Sequence, residues 1–167
     1  DANLIIAALL HDAVEDVGVR RAQIASTFGE DVAALVAEVT DDKSLTKAQR
    51  KQRQIAAATT KSSRAKIIKI ADKVANLRSI AASPPPGWSE DRKREYVTWA
   101  SQVVAGCTGV NPWLEDQFAH ACRAAKRPPA SDHNKESVAD FKKRFDAIKA
   151  TLPDEMPDEQ LKAPGAV

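Results

Sequence analysis

"SSRAKIIKIADKVANLRSI", residues 62–80, is the most regular stretch of the chain. Ile67, Ile70, Ala71, Val74 and Leu77 recur at steps of three and four, the spacing that lines one face of an α-helix. Asp72 stands at the edge of that stripe, next to inward-facing Ala71, and Asn76 follows one turn later on the same face. An acid bordering a buried face needs a partner. Lys69 or Lys73 offers one as a neighbouring cation, and a shared metal ion offers another.

The same period extends outward in both directions. Upstream, residues 3–16 read as a helix with Leu4, Ile5, Ala8, Leu9 and Val14 inward, closed by Gly18. Residues 20–29 predict a short helix with Ile24 and Phe28 inward and Gly29 as its stop. "EDVAALVAEVTD", residues 30–41, begins with acids suited to a helix N-terminus and puts Val32, Leu35, Val36 and Val39 on one face. Residues 45–60 follow with Thr46 as N-cap and a basic outer side. Downstream, "SPPPGW" (83–88) interrupts the pattern. Trp88 and Ser89 open a helix with Tyr96, Trp99, Ala100 and Val103 on one face, ending near Gly106. Asn111–Pro112 caps a helix running to about Lys126. No strand pattern, repeat or heptad array is present, so the expected architecture is all-α. Residues 1–126 form the expected domain. Residues 127–150 are expected to be a linker and one more helix (Val138, Phe141, Phe145, Ile148), and 151–167 a disordered tail.

A chain of 167 residues suits one domain with a substantial core, and 43% hydrophobic content with only 5% aromatics suits packed helices. The net charge of +2 hides a division. Residues 1–40 hold seven acids and two bases, whereas residues 41–78 hold eleven bases and three acids. That order suits a metal site facing a phosphate-rich ligand, or equally two solvated faces of opposite sign. Cys107 and Cys122 have no metal-ligand spacing and form no disulfide framework, which favours a reducing, cytoplasmic compartment. No run approaches the about 18 apolar residues of a membrane span, and no signal peptide is visible. The opening "DANLIIAALL" reads as a helix interior, so residues are expected to precede it.

The chemistry concentrates in "AALLHDAVEDVG", residues 7–18. His11 and Asp12 are about 100° apart on a helix and can reach one point beside its axis. Glu15 and Asp16 lie one turn further on. This is either an exposed acidic helix end or a cation site. One imidazole nitrogen with carboxylate oxygens suits Mn²⁺, Fe²⁺, Mg²⁺ or Zn²⁺.

Taken together, "AALLHDAVED", "FGEDVAALVAEVTDDKSLTK", "AKIIKIADKVANLRS" and "GWSEDRKREYVTWASQVV" resemble the HD-domain phosphohydrolases, and more narrowly the RelA/SpoT-type (p)ppGpp hydrolases in their small single-domain form. The resemblance spans residues 3 to about 125 and implies an HD-domain helical bundle with a metal site between helices. It implies one Mn²⁺ as cofactor and hydrolysis of the 3′-pyrophosphate of ppGpp and pppGpp, with a nucleotide rather than a nucleic acid or membrane as partner. By the same resemblance His11, Asp12 and Asp72 are metal ligands, and Glu15 and Asp16 position and activate the attacking water. Lys47, Asn76, Arg92 and Tyr96 contact the nucleotide. The family's first His ligand, and an Arg that helps hold the base, fall in helices before residue 1. His120 and His133 lack the context to replace that His. Ala75 stands where the family usually carries a large aromatic. The resemblance leaves base preference (guanine, adenine or NADPH) and oligomeric state open.

Overall fold

The structure, a computed structural model, describes residues 1–127. The expected linker, extra helix and tail lie outside the described residues. Among those described there are eight α-helices and no strand: α1 (Ala2–Leu10), α2 (Ala13–Asp16), α3 (Arg21–Phe28), α4 (Glu30–Val39), α5 (Lys47–Ala57), α6 (Ser63–Ala82), α7 (Glu90–Ala105) and α8 (Pro112–Ala125). A 3-10 turn, Ala58–Thr60, follows α5. The expected caps form. Thr46 accepts the Gln49 amide and Gln49 reaches back to Thr46, while Ser89 and Asn111 accept the amides of Arg92 and Leu114. Gly29, at φ +90°, makes the sharp join between α3 and α4.

The molecule is organised around α6. One side of it, with Ile70, Val74, Leu77 and Ile80 buried, packs with α7 and α8 around Val97, Ala100, Val104, Cys107 and Phe118. Its other side, carrying Ala65 and Ile68, packs with α1 and α4 around Ala7, Val32, Val36 and Val39. The single stripe read from the sequence is therefore half of the buried surface, because this 20-residue helix lies between two clusters. Each fully buried Ile or Leu here contributes on the order of 1.5–3 kcal/mol. Gly106 lies where a Cβ would stand 2.6 Å from the Ala58 Cβ, so its lack of a side chain lets α7 end against the 3-10 turn.

Three inward assignments are corrected. Ile5 and Leu9 are 62% and 81% exposed, and Ala7 faces the core instead. Residues 4–10 are apolar on every side, so periodicity could not choose the buried face. Phe28 is exposed, as the last residue of a helix that turns away at Gly29. The continuous helix over 3–16 is broken at His11–Asp12. The Ala8 carbonyl, which a continuous helix would offer to the Asp12 amide, accepts the His11 Nδ1–H at 2.7 Å.

Candidate active site

That break is what turns His11 and Asp12 together. With Nδ1–H given to a carbonyl, the neutral ring presents a lone pair at Nε2, the arrangement that metal-binding imidazoles use. His11 Nε2 lies 3.1 Å from Asp12 Oδ2 and 3.5 Å from Asp72 Oδ1, and it is buried without a hydrogen-bond partner. A lone pair facing two carboxylates is repulsive unless a proton or a metal cation lies between them. The Asp72 carboxylate beside the ring, helped by the Ala8 carbonyl and Asp12, outweighs burial and raises the His11 pKa above its ordinary value.

Asp72 is held on both oxygens. Lys73 Nζ donates to Oδ2 at 2.7 Å and Asn76 Nδ2 to Oδ1 at 2.7 Å. Burial alone would raise the Asp72 pKa, but His11 and Lys73 outweigh it and hold the carboxyl well below the usual range. Of the partners anticipated for Asp72, the neighbouring lysine is present as Lys73, and the His11 ring is a further one. The donor chemistry, one nitrogen and two carboxylates around an orphaned buried Nε2, fits a divalent cation. The donors are still open: among the described residues, no group of three His, Cys, Asp or Glu side chains is gathered closely enough to hold an ion.

Glu15 and Asp16 ride on the single turn of α2 and diverge. Glu15 Oε1 accepts the Asp41 amide at 2.6 Å, whereas Asp16 Oδ1 meets Lys43 Nζ at 3.3 Å. A cavity of about 660 Å³ is lined by His11, Asp12, Glu15, Asp72 and Asn76 together with Lys47, Arg92 and Tyr96. Asp16 is the one predicted site residue that does not line it.

The cavity lining also carries aromatic and cationic side chains. Arg92 Cζ lies 4.8 Å from the Trp88 ring centre, and Tyr96 packs between Trp88 and Trp99 at 5.9 and 5.3 Å. The Trp99 ring carries Lys73 Nζ at 4.4 Å and Lys51 Nζ at 5.0 Å. Burial and the nearby Asp72 raise the Tyr96 phenol pKa, so it stays a neutral donor. Sequence reasoning missed Trp88, Trp99, Arg50, Lys51, Lys69 and Lys73 as cavity residues. The available signal was the helical register itself, since Lys69, Lys73 and Asn76 are successive turns of α6, as are Arg92, Tyr96 and Trp99 on α7.

Comparison with known proteins places the chain among relatives. Residues 1–101 match the HD domain family. The guanosine-3′,5′-bis(diphosphate) 3′-pyrophosphohydrolase MESH1 of Xenopus tropicalis is 48% identical over 120 residues, covering 72% of this chain and 67% of that protein. The protein of the same name in Homo sapiens is 47% identical over 120 residues, with the same coverage. A solved structure described as a metazoan ortholog of SpoT that hydrolyzes ppGpp superposes with a TM-score of 0.71 at 46% identity, covering 74% of this chain and 69% of that one. The chain spans about two thirds of the length of these relatives. With the HD domain matched over more than half its residues, and this identity to the 3′-pyrophosphohydrolases, the chain belongs to the HD domain family.

Proposed function

We propose that this chain is a metal-dependent (p)ppGpp 3′-pyrophosphohydrolase, converting ppGpp and pppGpp to GDP and GTP with release of pyrophosphate. The observation that carries the reading is the union of two chemistries in one cavity. His11, Asp12, Glu15 and Asp72 line it, and Lys47, Arg92 and Tyr96 line the same space. Arg92, steadied on Trp88, and Lys47 take phosphate oxygens through charge-assisted hydrogen bonds. Asn76 and neutral Tyr96 direct the ribose and its phosphate. Glu15, aimed by the Asp41 amide, orients the attacking water and takes its proton. His11, Asp12 and Asp72 are the proposed ligands of one Mn²⁺, which supplies electrophilic assistance and a more acidic water when bound.

Among the described residues no helix is long and apolar enough to cross a membrane. Both cysteines are free, and the cytoplasm is the proposed compartment. A second reading, nucleotide binding without turnover, draws on the hold of Lys73 on Asp72 Oδ2.

The test incubates the full chain with ppGpp, ppApp or NADPH, with Mn²⁺ or a chelator, and separates products by anion exchange. Mn²⁺-dependent release of pyrophosphate from ppGpp is expected. Binding of ppGpp without products supports the second reading, turnover of ppApp or NADPH alone overturns the guanine assignment, and neither binding nor turnover overturns both.

A further inference from the structure

The acid that activates water sits on a helix of one turn, too short to hold its own direction. What fixes Glu15 is the segment just after α4. The Asp41 amide donates to Glu15 Oε1 at 2.6 Å, and Lys43 Nζ donates to the Glu15 carbonyl at 2.6 Å. Asp41 is itself anchored from two other helices. Gln54 Nε2 of α5 donates to its Oδ2, and Lys69 Nζ of α6 lies 4.0 Å from its Oδ1. Lys69 is only 6% exposed, and burial lowers its pKa, with the attraction of Asp41 opposing that most strongly.

We propose that Asp41 and Lys69 form a positioning pair for Glu15. The carboxylate of Asp41, held by Lys69 and Gln54, fixes the backbone so that its N–H points at Glu15 Oε1. The path runs from α6, which also carries Asp72, through the residue 41 backbone to α2. It therefore sets the acid's position relative to Asp72, using a lysine that the resemblance does not assign to the nucleotide. The inference rests on the hydrolase reading for its kinetic consequence and on geometry alone for the contact.

The experiment compares the full chain with Lys69→Met and Lys69→Arg, with Mn²⁺ and ppGpp. Lys69→Met is expected to lower kcat roughly ten- to a hundredfold by misplacing Glu15, with KM unchanged, and Lys69→Arg to recover most of the loss. A rise in KM at constant kcat makes Lys69 a phosphate ligand and overturns the proposal, as does unchanged kcat. Hydrogen exchange of the Asp41 amide in metal- and substrate-free protein is the second readout. It is expected to be slow in the wild type and faster in Lys69→Met. Equal exchange overturns the pairing whether or not ppGpp is hydrolysed, and a wild type that does not hydrolyse ppGpp fails the functional reading while leaving this readout decisive. Should Lys69→Met not fold, Asp41→Asn, which removes the charge and keeps an acceptor for Gln54, is read by the same two measurements.

Discussion

Replacing Asp72 perturbs two things that the structure allows to be separated. Its carboxylate faces His11 and also neutralises Lys73, whose residue surface is 3% exposed and whose Nζ lies 2.7 Å from Oδ2. Asp72→Asn keeps an acceptor for Asn76 but leaves a buried ammonium without its counter-charge. Breaking such a pair by removing one partner costs about 3–5 kcal/mol, whereas replacing both partners with uncharged groups is often neutral. Asp72→Asn is therefore expected to lower Tm by about 6–20 °C at the usual 2–4 °C per kcal/mol for chains of this size. Asp72→Asn with Lys73→Met should regain most of that loss, because the methionine remains against the Trp99 ring. Urea denaturation of the four proteins in a double-mutant cycle, with a chelator present, measures the coupling. Mn²⁺ binding, followed by calorimetry, should be lost in both Asp72 variants, so that stability returns in the double variant and metal affinity does not. A single variant costing less than about 1 kcal/mol, with additive effects, would refute the argument, since it would mean that Lys73 is solvated rather than paired.

Three further outcomes are expected. Glu15→Gln with Asp16→Asn should retain Mn²⁺ and nucleotide binding by calorimetry while losing most turnover, since the glutamine still offers Oε1 to the Asp41 amide. Lys47→Ala and Arg92→Ala should each raise KM for ppGpp by roughly ten- to a hundredfold, more at low salt than at high, and Arg92→Lys should recover only part; steady-state kinetics across salt concentrations check this. Asp31, which bridges Arg64 and Asn3, has its carboxyl lowered to about 2 by those partners. A depressed carboxylate adds stability above its unfolded value of 3.8 and loses it as pH falls through the folded value. The stability difference between wild type and Asp31→Asn should accordingly close between pH 4 and pH 2 in acid urea titrations.

The sequence alone determined most of the helices and their caps, and part of the cavity lining. This is because those features are local. Period 3.6 marks α4 and α6, and Thr46, Ser89 and Asn111 announce their own helix starts. His11, Asp12, Asp72 and Asn76 were legible because they lie within two stretches whose residue order is distinctive. Other features depended on choices that no local pattern makes. Residues 4–10 are apolar all round, so only packing against α4 and α6 could turn Ala7 inward and leave Leu9 in solvent. The break after Leu10 depends on one carbonyl choosing an imidazole over an amide. Lys69 and Lys73 read only as neighbouring cations for Asp72, yet both are buried, because α6 is covered on two sides and their ammonium groups find Asp41, Asp72 and the face of Trp99. Helical order is written in neighbours three and four residues apart. Which charge is buried, and which acid aims at which ring, is settled by partners from distant segments that share a face only after the chain has folded.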